Sequence, residues 1–265
     1  MTEHLVDIGA NLTHDSFDDD REQVIERAAD AGVTRIIVTG SSGRSSQDAL
    51  ALSKTRPGQL FSTAGLHPHH ASDYSPALQA TLAGLLREDA VVAVGECGLD
   101  YFRNFSPRDA QRNAFQGQLE LAVECGLPVF LHQRDAHQDF SDLLRPMIDK
   151  ISAGVAHCFT GDRDALHDCL SMGLYIGVTG WICDERRGKT LQEIVSDIPL
   201  DRLMIETDAP YLLPRTLHPK PKPKTRRNEP MHLTEVLRVV AEAMQESEMT
   251  VAQATTANAE RFFGL

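Results

Sequence analysis

The chain has no apolar run approaching the ~20 residues of a membrane span. Its first residues, Met1 to Asn11, carry Glu3 and Asp7 rather than the apolar core of a secretory leader. Cysteine is scarce: Cys97, Cys125, Cys158, Cys169 and Cys183 make an odd set of five, with no C-x-x-C pair. That pattern argues for reduced, buried thiols in a cytoplasmic protein and against a disulfide framework. Cations are in the minority, 26 Lys and Arg against 38 Asp and Glu, for a net charge of −12. Such a balance excludes broad, non-specific adhesion to nucleic acid. No repeat or low-complexity tract is present, and tryptophan occurs once, as Trp181.

The few cations are unevenly placed. Arg215, Lys220, Lys222, Lys224, Arg226 and Arg227 fall between Pro214 and Asn228 with no acidic residue among them. The rest of the chain then has 20 basic groups against 38 acidic ones. A solvated surface run is the plain reading of this segment, and a rim facing a phosphate backbone is the functional one.

Short apolar runs rich in β-branched residues recur about every 30 residues. They predict eight strands: His4–Ala10, Thr34–Gly40, Leu60–His67, Val91–Leu99, Pro128–Arg134, Gly154–Thr160, Leu174–Gly180 and Leu203–Asp208. The intervening stretches have helical spacing, as in Ala110–Cys125, which Gly126 and Pro128 terminate. Eight strand–helix units in 265 residues predict an α/β fold of the TIM-type (β/α)8 barrel class, one domain over 1–265. An open doubly wound sheet is the alternative, but eight equal units suit closure better.

Parallel barrels gather functional groups at the C-terminal ends of their strands. Here those ends read Gly65-Leu66-His67-Pro68-His69, Gly95-Glu96-Cys97-Gly98-Leu99-Asp100, His132-Gln133-Arg134, His157-Cys158-Phe159 and Glu206-Thr207-Asp208-Ala209-Pro210. One histidine at a strand end is usually a hydrogen-bonded rim residue; five polar ends are hard to explain that way, because polar groups in apolar strands need partners. Glu96, His132 and His157, from adjacent strands, form a divalent-metal set, with Asp208 as a further ligand or the base on an attacking water. Glu96 and Asp208 are thus the expected catalytic carboxylates. Arg134 is either a phosphate contact or the partner of a site carboxylate. Thr39-Gly40-Ser41-Ser42-Gly43 reads as a tight turn into a helix, with a phosphate cradle as the alternative. Strand alternation aims Cys97 and Cys158 away from the metal into packing roles. Trp181 has two readings, core packing or stacking on a base.

These strand-end motifs, together with Arg226-Arg227-Asn228-Glu229-Pro230, resemble the TatD family of metal-dependent deoxyribonucleases over nearly the whole chain. The resemblance implies a TIM barrel that hydrolyses phosphodiesters with Glu96, His132, His157 and Asp208 around metal. It further implies that His67 contacts a substrate phosphate; Arg134, Arg226 and Arg227 are the candidate cations that meet charge developing on the substrate. Most members carry His-x-His on strand one, where this chain has Gly9 and Asn11. That departure, and the stretch Trp181–Gly188, resemble the family branch that uses magnesium and acts 3′-to-5′ on single-stranded DNA and RNA in DNA repair. One or two ions are expected, Mg²⁺ before Mn²⁺ and Zn²⁺ last, since the loss of two imidazoles favours a hard, water-rich ion. The expected partner is single-stranded nucleic acid, with no membrane and a monomeric chain. The competing readings are an amidohydrolase-type deacylase or esterase on the same barrel, and a barrel that binds without turnover.

Overall fold

The computed structural model describes residues 4–219 and 226–265. Lys220, Lys222 and Lys224 of the basic segment lie outside the described residues. In chain order the elements are β1 (Leu5–Ala10), α1 (Arg21–Asp30), β2 (Val33–Val38), α2 (Gly43–Ser53), β3 (Leu60–Ala64), α3 (Pro76–Leu85), β4 (Val91–Asp100), α4 (Arg108–Cys125), β5 (Val129–Arg134), α5 (His137–Leu144), β6 (Gly154–Ala156), α6 (Arg163–Ser171), β7 (Tyr175–Val178), α7 (Lys189–Ile194), β8 (Leu203–Ile205), α8 (Leu233–Met244) and α9 (Glu248–Phe263). The strands form one parallel sheet in sequential order from β1 to β8. It closes where Ala10 bridges Ala209 in parallel and Asn11 N donates to Ala209 O at 2.7 Å. The barrel reading therefore holds.

Local chemistry explains the element ends. The Ser42 hydroxyl caps α2 in a reciprocal pair with Ser45, and Gly126 closes α4 with φ +70°, a left-handed conformation that a Cβ would disfavour. Gly40 N, Ser41 N and Ser42 N are all satisfied by Thr63 and Ser45 hydroxyls. The 39–43 segment is thus a helix-entry turn rather than an open phosphate cradle.

Apolar residues split into two buried layers. The larger lies between strands and helices. The smaller gathers Val6, Ile8, Ile37, Val92, Phe130, Val155, Tyr175 and Met204, one or two from each of seven strands, with Phe262 and Phe263 of α9 against it. These are the residues that fill the barrel. A strand has period two, so the position two residues beyond each faces the same way, nearer the C-terminal mouth. Phe130 leads to His132, Val155 to His157, Tyr175 to Gly177 and Met204 to Glu206. Barrel packing and site are therefore one register.

Several strands are shorter than expected. β3, β6 and β8 stop at Ala64, Ala156 and Ile205, not at His67, Thr160 and Asp208. Backbone bonding runs one residue further at two of these ends, where His157 N donates to Leu131 O and Glu206 N to Val178 O, each at 3.0 Å.

Phe130 is fully buried, with its ring 4.5 Å from that of His157. Phe130→Ala is expected to lower stability by about 3–5 kcal/mol, read by urea unfolding; a loss under about 1 kcal/mol would contradict its place as the floor of the site.

Candidate metal centre at the barrel mouth

Glu96 is delivered by an unusual stretch of β4. Gly95 and Gly98 flank it at φ +137° and +144°. A Cβ at Gly95 would meet Phe130 O at 2.3 Å, and one at Gly98 would meet His132 O at 1.9 Å. Only glycine lets β4 press this closely on β5, and the pairing register shifts between Val94 and Cys97. The two glycines thus place Glu96 against the β5 histidine.

One oxygen of Glu96, Oε1, has His157 Nε2 at 2.7 Å, His132 Nδ1 at 2.9 Å and His67 Nε2 at 3.3 Å. Glu96 and His157 are buried, at 6% and 5% exposure. The three atom donors of His67, Glu96 and His132 lie within 4.8 Å of one another, a spacing that could hold an ion. His67, expected as a phosphate contact, thus stands inside the candidate ligand set. His132 Nε2 is buried without a hydrogen-bond partner, and the nearest carboxylate oxygen, Asp100 Oδ2, is 3.5 Å away. Three imidazoles crowding one carboxylate oxygen, with an orphaned ring nitrogen beside them, fit a divalent cation.

Electrostatics separate the carboxylates. Burial pushes Glu96 up, but the charges of His67 and His157 and hydrogen bonds from His132 and His157 outweigh it and hold it well below its ordinary value. His157 moves the other way: burial lowers it, yet Glu96 and Glu206 raise it well above its ordinary value. Burial lowers His67 to about 4, against the pull of Glu96. Asp208 is half-buried, with φ +53°. Desolvation at the mouth pushes it up to about 7; His157 opposes, and Glu96 and Glu206 add. All three lie close enough for their charges to act on Asp208.

Sequence reasoning missed four groups. Glu206, fully buried, takes His157 Nδ1 at 3.3 Å and accepts from Cys158 N at 2.5 Å. It orients the histidine from behind, as carboxylates do for metal-binding imidazoles. His69 Nε2 lies 2.8 Å from Asp100 Oδ2, extending the network beyond His132. Asp7 accepts from Thr207 N at 2.9 Å and Thr207 Oγ1 at 2.5 Å, fixing the residue between Glu206 and Asp208. The signals were present: Glu206, Asp100 and His69 all sit in the strand-end motifs, and Asp7 is a lone carboxyl in an apolar strand.

The two strand-one residues read as losses both have jobs. A Cβ at Gly9 would meet Glu206 Oε2 at 2.5 Å, so the glycine makes room for that carboxylate. Asn11 Nδ2 donates to Asp208 Oδ1 at 3.1 Å.

Other expectations need revision. Cys97 is buried in the core layer, but Cys158 does not follow strand alternation, because β6 has already ended at Ala156. At φ +45° its thiol lies 3.5 Å from Thr179 Oγ1 and near enough to Asp208, Glu206 and Glu96 for their charges to act on it. Arg134 makes no ion pair among the described residues; it lies 4.4 Å from the Phe102 ring centre and 5.2 Å from Trp181. Arg227 is held by Asp20 at 2.7 and 2.8 Å, by Glu229 at 2.8 Å and by Ser16 O, so its guanidinium is engaged within the fold. Arg215 pairs with Glu185 at 3.0 Å, whereas Arg226 is exposed.

Two outcomes follow from this packing. Gly9→Ala should cost about 1–3 kcal/mol by overpacking, and the cost should shrink when Glu206→Ala is also present; additive effects in urea unfolding would deny the contact. Burial raises Asp7 from 3.8 to about 7, against hydrogen bonds from Thr207 and Gly9. A carboxyl raised on folding stabilises fully below its unfolded pKa and loses that contribution as pH climbs through its folded one. Metal-free protein should therefore lose stability between about pH 4 and 7, and Asp7→Asn should flatten that slope; an unchanged slope would exclude Asp7 as its source.

Comparison with known proteins agrees with this geometry. A family model described as TatD related DNase matches residues 6–264. A protein of Pantoea sp. named 3′-5′ ssDNA/RNA exonuclease TatD is 51% identical over 261 residues, covering 98% of this chain and all of that one. A solved structure of a TatD homologue from Escherichia coli K12 superposes with a TM-score of 0.90 at 30% identity, covering 100% of both chains. A TatD family hydrolase from Entamoeba histolytica gives 0.87 at 26% identity, covering 99% of both chains. A barrel with a carboxylate–imidazole cluster at its mouth, matched along its full length, belongs to the TatD related DNases.

Proposed function

We propose that this protein is a metal-dependent nuclease that removes nucleotides 3′-to-5′ from single-stranded DNA and RNA. The observation that carries the reading is the shared Glu96 oxygen with three imidazoles around it. Family membership and the name of the Pantoea relative support the substrate class and direction.

In this reading Glu96, His67, His132, His157 and Asp208 hold the ion. A divalent cation held by these groups would supply Lewis-acid chemistry, activating a water and offsetting charge on a phosphoryl oxygen. Asp208, at the mouth beside this cluster, is the carboxylate placed to accept the proton from the attacking water. Glu206 keeps His157 aimed, and Arg134 and Arg226 are the cations for substrate phosphates. Gly9 supplies no ligand and Glu206 fills the space beside it, which supports one tightly held ion rather than two. The same absence of strand-one imidazoles weighs against the deacylase or esterase reading. Mg²⁺ or Mn²⁺ is the working ion we favour, although an imidazole-rich set also takes Zn²⁺. A cytoplasmic role in DNA repair completes the proposal. Five free cysteines suit a reducing compartment.

Glu96→Ala and His157→Ala should each cut turnover of a labelled single strand by about 10³-fold or more while circular dichroism stays native. Chelation should abolish wild-type activity, and add-back of Mg²⁺, Mn²⁺ or Zn²⁺ in turn should identify the ion. Wild-type turnover in a folded Glu96→Ala protein, or full activity in chelator, would end the proposal.

A further inference from the structure

Among the described residues four large hydrophobic side chains are more than half exposed: Phe102 at 54%, Phe105 at 69%, Tyr211 at 52% and Met249 at 53%. Single exposed apolar residues need no explanation. Three of these, however, stand on one rim, in the loops that follow β4 and β8 and so beside the residues carrying Glu96 and Asp208. The Phe105 ring lies 4.7 Å from that of His69, whose imidazole joins the Asp100–His132 network. Desolvation raises the Tyr211 phenol, and the charges of Asp208 and Glu96 reach it and add to the shift.

The rim continues toward β7. Arg134 lies against both Phe102 and Trp181, at 4.4 and 5.2 Å from their ring centres, and has no carboxylate partner among the described residues; Trp181 itself is half-buried against the core and carries Arg187 over its ring at 4.4 Å. Rings and an uncompensated guanidinium therefore share one surface next to the candidate metal centre. A polyanion alone would have no use for the rings, and a purely apolar ligand none for the cation. Unpaired nucleotides use both: each base has a π-face to stack, and each linkage carries a phosphate. Paired bases are stacked on one another and cannot offer those faces.

We propose that the exposed rings of Phe102, Phe105 and Tyr211 form a base-stacking rim, with Arg134 as its phosphate-facing cation and Trp181 packed behind that cation, that selects unpaired strands. Stacking is blind to the 2′-hydroxyl, so the rim accepts DNA and RNA alike and seats a terminal phosphodiester over Glu96. This rests on the nuclease reading above, and its test is kept separate from cleavage.

Trp181 is the only tryptophan, so its fluorescence reports on the rim directly. Metal-free protein is titrated with an oligothymidylate of about 12 residues, with a base-free deoxyribose-phosphate oligomer of equal length, and with a duplex, following fluorescence and anisotropy. The oligothymidylate should quench Trp181 and bind about ten-fold or more tightly than the other two. Phe102→Ala should bring that preference close to unity, and Phe102→Tyr should restore it. Equal binding of the base-free oligomer or the duplex overturns the proposal, as does a Phe102→Ala protein that keeps its preference. An active nuclease without the preference refutes the rim alone; the preference in a protein that cleaves nothing refutes the nuclease reading alone.

Discussion

A buried carboxylate is expensive unless its charge is met. Glu96 meets that demand with imidazoles carried by three other segments: His67 after β3, His132 on β5 and His157 after β6. Its own N–H is taken by Gly40 O beyond β2, at 2.7 Å. One residue, through its carboxylate and its backbone N–H, therefore ties together the mouth ends of five consecutive strands. The remaining arc is joined through His157, whose second nitrogen faces Glu206, the residue after β8. Glu206 sits beside Thr207, which Asp7 of β1 fixes across the seam where the sheet closes. The site and the closure of the barrel are in this sense the same network.

The network leaves its carboxylates in different states. Glu96 is pushed down and Asp208 up to about 7, although each feels the other's charge at the barrel mouth. Groups whose environments drive their pKa values apart can divide acid, base and ligand roles between them. The division comes from position. Glu96 is ringed by imidazoles, whereas Asp208 has an amide from Asn11 and two other carboxylates nearby. A chain of net charge −12 also repels a polyanion, so attraction of nucleic acid must be local. Arg134 and the exposed rings around it are where the surface offers that attraction.

The barrel was legible because each unit repeats the same pattern: a β-branched run, a polar strand end and an amphipathic stretch. The metal-capable residues were legible because polar groups at apolar strand ends stand out, and Glu96, His132 and His157 do converge. What lay hidden depended on geometry that sequence does not carry. Cys158 broke the alternation rule because β6 is three residues long and the backbone leaves the extended path at Cys158 itself, with φ +45°. Arg227 looked like its neighbour Arg226, yet Asp20, more than 200 positions away in sequence, engages only the former. Glu206 was visible as a letter in a motif, but its place behind His157 follows from small residues at 9 and 177, whose Cβ atoms would each come within 2.6 Å of its oxygens.

That last relation changes how the strand-one departure is understood. Seen in the sequence, Gly9 and Asn11 are two missing ligands, and a degenerate site is a fair alternative. Seen in space, a side chain at position 9 and a carboxylate at position 206 compete for one volume, so the loss of the first and the seating of the second belong to a single arrangement. Asn11, likewise, donates to the carboxylate that carries the raised pKa. A site in decay would leave an unfilled gap or an unpaired group at those positions, and neither is found there. The strand-one change reads instead as an exchange, in which direct ligands are given up and the remaining ones are held more firmly from behind.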